Sequence, residues 1–211
     1  MDPIRTTDGG SADSASSFEK IKHPILHSLG EWTRVIVIAV LISLPIRFFI
    51  AEPFVVNGAS MDPTFSTGQF LIVDRLTYRF ASPSRGDVVV FAYPNNPRVY
   101  YIKRIIGLPG ETLTVNDGFV SILSGDNHAS STLSLEEPYI TNSHRSHDNI
   151  AVSLGPTEYF VMGDNRTQSS DSRVWGPLDR DLIVGRPLLR LLPFENIDLL
   201  PGKYHDKNNS R

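Results

Sequence analysis

Three stretches of this sequence set reactive side chains in patterns that packing alone does not require. Gly58-Ala59-Ser60-Met61-Asp62-Pro63-Thr64 places a serine among small residues, with Pro63 restricting the chain just after it. In most proteins a serine in such a turn is a solvated turn residue, so Ser60 alone is weak. Residues 100–110 read YYIKRIIGLPG and hold Lys103 inside an apolar run. Period-2 alternation puts Tyr101, Lys103 and Ile105 on one strand face, and Ile102, Arg104 and Ile106 on the other. The plain reading is a lysine snorkelling at a sheet edge. The chemical reading is a lysine whose charged form burial disfavours, leaving a neutral amine to act as general base. Residues 163–176, GDNRTQSSDSRVWG, interleave Asp164, Arg166, Asp171 and Arg173 with serines, so ion pairs among them can fix a loop.

Other chemistries lack their residues. The chain has 211 residues and 0 cysteines, which excludes a thiol nucleophile, thiolate metal sites and disulfides. A net charge of -3 without a basic block disfavours nucleic acid as a partner. Of the six histidines, His23 and His27 precede the long apolar run, His128, His144 and His147 fall in a polar stretch, and His205 is in the tail. None sits on a strand beside a partner, so a Ser-His-Asp triad is disfavoured. No HExxH spacing or carboxylate–histidine cluster indicates a metal. Arg85-Gly86-Asp87 reads as a turn opening a strand rather than an adhesion motif.

The elements that must position these groups follow from the hydrophobic pattern. Residues 1–32 read as a flexible cytoplasmic tail. The uncharged run VIVIAVLISLPI at 35–46, extended by FFIA after Arg47, predicts a membrane anchor over 33–51. Arg47 and Phe48 stand where an export signal would have small residues, so the anchor is expected to remain uncleaved. Lys20, Lys22 and Arg34 precede the anchor's core, and after Arg47 no Lys or Arg occurs until Arg75. The N-terminus is therefore expected in the cytoplasm and the rest of this single-pass protein on the exported side. Runs 69–74, 87–93, 99–107, 158–164 and 182–192 read as strands, and 111–123 as a hairpin turning at Asn116-Asp117-Gly118. Residues 124–149 read as a long loop. The expected fold is mainly β: a catalytic domain over 52–201, with an insertion near 112–157 and a frayed tail over 202–211.

In order and spacing, these segments resemble bacterial type I signal peptidases: anchor helix, serine segment, RGDVVVF, YIKRIIGLPGE, then GDNRTQSSDSRVWG. The likeness covers about residues 47–191. It implies a coiled antiparallel β-sheet catalytic domain on a membrane anchor. It also implies a serine endopeptidase that removes signal peptides from exported preproteins after small residues of the Ala-x-Ala type, without metal or cofactor. Ser60 matches the nucleophile, Lys103 the general base, and Ser169 the serine whose hydroxyl orients the lysine. Asp164, Asn165, Arg166, Asp171, Ser172 and Arg173 match positions that hold the active-site loops, and Met61, Phe65, Tyr101 and Ile102 match the substrate pocket. The implied oxyanion donor is the Ser60 backbone N–H. Some members add a serine hydroxyl two residues earlier, where this chain has Gly58. Larger members also carry a disulfide and a longer stretch between lysine and loop, so the accessory domain is expected to shrink to the hairpin and its loop. The alternatives are a membrane-anchored β-domain that binds without catalysis and a self-cleaving repressor. Retention of both Ser60 and Lys103 disfavours the first. The second carries a DNA-binding domain where this chain has a non-basic tail and an apolar helix. Neither pattern nor resemblance indicates an oligomeric state.

Overall fold

A computed structural model describes residues 22–45, 51–124 and 131–204, in two units, 1–46 and 47–211. In the first unit, helix α1 spans Lys22–Pro45. The expected tail is thus helical from Lys22 onward, and residues 1–21 lie outside the described ones. Val35, Ile36, Leu41 and Ile42 are all exposed, on every side of the helix. Among the described residues no helix is long and apolar enough to cross a membrane. The part of the uncharged run inside the helix, 35–45, advances about 17 Å, against a bilayer core of ~30 Å. The anchor expected at 33–51 coincides with α1 only through Pro45. Residues 46–50 lie outside the described ones, and Ala51 opens a strand.

The second unit is built from antiparallel strands. The larger sheet contains β1 (Ala51–Val55), β2 (Phe70–Asp74), β3 (Val88–Tyr93) and β4 (Asn96–Gly107). The smaller sheet follows in the chain: β5 (Thr112–Asn116), β6 (Phe119–Ser124), β7 (Ser131–Ser134) and β8 (Ile150–Ser153). The chain then returns to the larger sheet with β9 (Glu158–Met162), β10 (Leu178–Asp179), β11 (Ile183–Leu192) and β12 (Asp198–Leu199). The larger sheet runs β1-β2-β11-β3-β4-β9-β10, with β12 on β11; the smaller runs β7-β6-β5-β8. Two short helices, α2 (Thr77–Phe80) and α3 (Ser172–Trp175), sit in connections of the larger sheet. β3 reads VVVFAY, and its first four residues are all buried, as expected for a β-branched strand covered on both faces. Asp117 and Gly118 both have positive φ at the β5–β6 turn, matching the expected hairpin.

Two expectations change here. The accessory region is a full four-stranded sheet rather than a hairpin and loop. Its side chains Leu113, Val115, Val120 and Ile122, with Leu154 just after β8, pack with Ile106, Phe160 and Met162 from the larger sheet. β7 is made of Ser, Thr, Leu and Ser, a composition without an alternating apolar signal. The chain after 201 is also tied down as far as Tyr204. The Gly202 carbonyl accepts from Arg104 Nη1 at 2.7 Å, and the Tyr204 ring meets Tyr139 edge-on.

β4 does most to position the chemistry. It pairs with β3 along its length, with Lys103 opposite Val89, but meets β9 only from Arg104 onward. Among the described residues, the stretch Asn96–Lys103 therefore has one unpaired edge. β1, at the end of the sheet order, has another.

Candidate active site

Ser60 lies in the turn after β1, and Lys103 in β4. Lys103 Nζ donates to Ser60 Oγ at 2.7 Å and to the Ile102 carbonyl at 3.0 Å. The lysine is 4% exposed. Burial lowers its pKa from 10.5 to about 8, while Asp171 and Asp164 pull it upward and Arg173 pushes it down. Among the described residues no carboxylate bonds the amine, so desolvation of the cation prevails. The lysine lies on a stretch with an open strand edge, but instead of snorkelling to solvent it is a buried amine on a hydroxyl. A neutral amine at this distance can take the serine proton.

The turn's backbone is held from the 163–173 loop. Asn165 N–H donates to the Ser60 carbonyl at 3.1 Å. A Cβ on Gly163 would fall 2.3 Å from that carbonyl oxygen and 2.3 Å from Ser169 Oγ, so only glycine fits this close approach. Ser169 Oγ is buried and makes no hydrogen bond among the described residues. The lysine contact implied for Ser169 is thus not formed; Ser60 and the Ile102 carbonyl hold the amine instead.

The loop's charges do not pair simply with one another. Asp171 and Arg173 do pair, at 2.8 Å, and Asp171 also accepts from Gly163 N–H at 3.0 Å. Arg173 reaches out to Ser146 at 2.9 Å and to Asp148. Asp164, however, takes both Nε (2.8 Å) and Nη2 (2.6 Å) of Arg104, and accepts from Thr64 Oγ1 at 2.5 Å. Arg166 pairs with Glu137, outside the loop. Ser172 Oγ accepts from Val161 N–H at 3.0 Å, joining α3 to β9. The partners of these six residues therefore include Arg104 of β4 and Glu137, Ser146 and Asp148 of the 135–148 segment, outside the loop itself.

Arg104 was visible only as a charge on the opposite face of β4. It is fully buried, donates to the Gly86 and Gly202 carbonyls, and lies 4.0 Å from the Tyr139 ring centroid. Burial works against its charge, but Asp164, Tyr139 and Glu137 outweigh this and raise its pKa. A second cation in an apolar run was the available signal. Glu137 and Tyr139, in a polar stretch, offered none.

Beside Ser60 and Lys103 opens a cleft of about 280 Å³. Its apolar lining includes Phe54 and Val56 from the β1 side, Leu71 and Val90 beneath, and Tyr100, Tyr101 and Ile102 from β4; Asn57, Gly58, Gln168 and Ser170 add polar rim. Of the four residues expected in a substrate pocket, Tyr101 and Ile102 line this cleft. Met61 and Phe65 do not: both are fully buried with Val56, Leu71 and Val88. Phe65 N–H bonds the Met61 carbonyl at 2.9 Å, and this turn folds both side chains into the core. Gly58 has φ +101° with open space where a Cβ would point, and its N–H donates to Thr67 Oγ1 at 3.1 Å. Among the described residues no group of three or more His, Cys, Asp or Glu could hold a metal ion.

The family model for signal peptidase, peptidase S26, matches residues 29–192. The chain belongs to the S26 signal peptidase family. It is 36% identical over 181 residues to signal peptidase I of Bacillus licheniformis, covering 81% of this chain and 92% of that one. It is 38% identical over 177 residues to signal peptidase I T of Bacillus subtilis strain 168, covering 79% and 87%. A crystal structure of a signal peptidase I from Enterococcus faecalis V583 aligns with TM-score 0.42 and 29% identity, over 50% of this chain and 97% of that chain. Family membership makes the chain a peptidase, and the family's reaction is cleavage of signal peptides.

Proposed function

We propose that this chain cleaves exported preproteins with Ser60 as nucleophile and Lys103 as general base. The observation that carries the reading is the 2.7 Å contact between a buried lysine, with a pKa lowered to about 8, and a serine at the edge of an apolar cleft. Neutral Lys103 takes the Ser60 proton as Oγ attacks the scissile carbonyl. The tetrahedral oxyanion forms beside the Ser60 backbone N–H. The Lys103 ammonium then protonates the leaving amine, giving an acyl-enzyme and a neutral lysine. Lys103 next deprotonates water, which attacks the ester, and returns a proton to Ser60 Oγ. No cofactor enters any step.

The substrate strand lies extended between β1 and the unpaired edge of β4, where free backbone groups can extend the sheet. A cleft of about 280 Å³ walled by Phe54, Val56, Tyr101 and Ile102 favours small side chains at −1 and −3. The N-terminal segment tethers the domain to the membrane with its N-terminus cytoplasmic. The exposure of apolar side chains all round α1 supports the tether, because such a helix needs apolar surroundings, and Lys20, Lys22 and Arg34 ahead of its apolar core support the direction. Carbonate extraction and protease protection of the full chain test the tether and its direction. Cleavage of a fluorogenic Ala-x-Ala peptide by wild type, Ser60→Ala and Lys103→Ala tests the chemistry; a binding domain without catalysis would show no turnover in any of them.

A further inference from the structure

We propose that Glu137, from the segment between β7 and β8, is a positioning residue for the nucleophile, acting through Arg166 on the backbone that holds Ser60. The inference rests on the Ser60–Lys103 reading of the active site.

Arg166 is a cation without access to water: its side chain is 0% exposed. Burying it unpaired would be strongly unfavourable. The two carboxylates of its own loop are already engaged, Asp164 with Arg104 and Asp171 with Arg173. The compensating charge comes instead from Glu137, 29 residues earlier, whose side chain is 1% exposed. Glu137 Oε1 takes Arg166 Nη2 and also accepts from Tyr139 OH at 3.0 Å. Its Oε2 has no hydrogen bond among the described residues, and Arg145 Nη1 lies 4.0 Å away.

Arg166 passes this anchorage to the active site. Its Nε donates to the Gly163 carbonyl at 3.0 Å, and its own carbonyl accepts from Arg173 Nη2 at 2.7 Å. Gly163 is the residue pressed against the Ser60 carbonyl with no room for a Cβ, and Asn165 N–H bonds the same carbonyl. Glu137 therefore sets Arg166, Arg166 sets residues 163–165, and these set Ser60. With Glu137 neutralised, Arg166 must move to find water or another carboxylate. Residues 163–165 then follow it. A misplacement of about 1 Å can cost about 10²-fold in rate. None of Glu137, Arg166 and Gly163 lines the substrate cleft, so the loss falls on kcat rather than on KM.

The experiment uses the full-length chain in detergent with a fluorogenic Ala-x-Ala peptide. It compares wild type, Glu137→Gln, Glu137→Asp, Arg166→Gln, the double variant Glu137→Gln/Arg166→Gln, and Ser60→Ala. Expected for Glu137→Gln is a cooperative thermal melt, kcat lower by about 10²-fold and KM within about threefold. Glu137→Asp keeps the charge and recovers part of the loss. The double variant is no worse than Arg166→Gln alone, because the two residues act as one unit. The acid limb of the kcat/KM profile stays at the wild-type pH, since the charges acting on Lys103 are Asp171, Asp164 and Arg173. An unchanged kcat in folded Glu137→Gln overturns the proposal. So does a loss carried by KM, a shifted acid limb, or losses that multiply in the double variant. If Glu137→Gln does not melt cooperatively, the double variant Glu137→Gln/Arg166→Gln, which leaves no unpaired buried charge, decides by the same kcat, KM and acid-limb criteria. Inactive Ser60→Ala beside fully active Glu137→Gln refutes the positioning role alone. Active Ser60→Ala refutes the dyad reading and this inference with it.

Discussion

Lys103 and Arg104 are neighbours on β4, equally removed from water, and their charges fare oppositely. Lys103 faces the cleft, where its amine meets a hydroxyl and a carbonyl, and burial lowers its pKa to about 8. Arg104 faces inward, where Asp164 takes it through two nitrogens and two carbonyls and an aromatic ring complete its shell. Desolvation is the largest influence on both. What separates them is the bonded carboxylate, present on one face and absent on the other. One strand thus keeps a permanent cation as a structural pin and, one residue away, a base that can lose its proton.

The largest test of this contrast is to erase or fix the charge on the cleft face. Ser60→Ala, Lys103→Ala and Lys103→Arg should each lower kcat on the order of 10⁴- to 10⁶-fold, as for residues that act as one unit. Lys103→Arg is the telling variant, because it keeps the charge and loses only the ability to be neutral. Near-normal turnover by Lys103→Arg in the peptide assay would break the contrast. In the active enzyme, kcat/KM should fall as pH drops through about 8, where Lys103 protonates.

On the inner face, Asp164→Asn removes the carboxylate that keeps Arg104 charged at no net loss. Leaving that buried cation uncompensated should destabilise the domain by about 3–5 kcal/mol, read from denaturant unfolding at pH 7. Asp164 also raises the Lys103 pKa, so the remaining activity should show its acid limb at lower pH. A limb that stays in place would mean that the two faces are electrostatically independent.

The lysine's burial also leaves a thermodynamic trace. An unfolded Lys103 holds its proton up to about 10.5 and the folded one releases it near 8, so the unfolded state binds more protons between those values. Stability therefore rises with pH across that window, and the destabilisation is fully present below pH 8. The shift corresponds to roughly 3 kcal/mol. Lys103→Met should accordingly be more stable than wild type at pH 6, with the advantage fading toward pH 10. An advantage of the same size at both pH values would assign it to packing instead of charge.

How far these features were legible depends on whether they leave a local pattern. Lys103 stands out because a cation interrupts an apolar run, and β2, β3, β4, β9 and β11 stand out by their β-branched and aromatic residues, whereas β1 (AEPFV), β10 (LD) and β12 (DL) carry no such run. Nor does β7 stand out, since STLS carries no alternation. Met61 and Phe65 have the right types for an apolar pocket, but the turn after Ser60 points them into the core. Asp164, Arg166, Asp171 and Arg173 announce ion pairs, yet proximity in sequence suggests the wrong partners. Arg104 and Glu137 lie 60 and 29 residues from Asp164 and Arg166, and only the folded chain brings them there.

The smallest effect concerns the oxyanion side of the cleft. Gly58 lies two residues before Ser60, and a side chain there would meet open space. Sterics alone would admit a serine whose hydroxyl stabilises the oxyanion. The backbone sets a second condition: at φ +101° any non-glycine residue is strained, by about 1–3 kcal/mol. That strain also loads the bond from Gly58 N–H to Thr67 Oγ1. Gly58→Ser and Gly58→Ala share the strain, so both should lower the melting temperature by similar amounts. They differ by one hydroxyl, and a transition-state donor acts on kcat far more than on KM. An imperfectly aimed donor should make kcat of the serine variant about tenfold higher than that of the alanine variant, or ~1.4 kcal/mol, with equal KM. Equal kcat in the two variants would show that the hydroxyl does not reach the oxyanion, and would turn attention to the Asn57 side chain on the same rim.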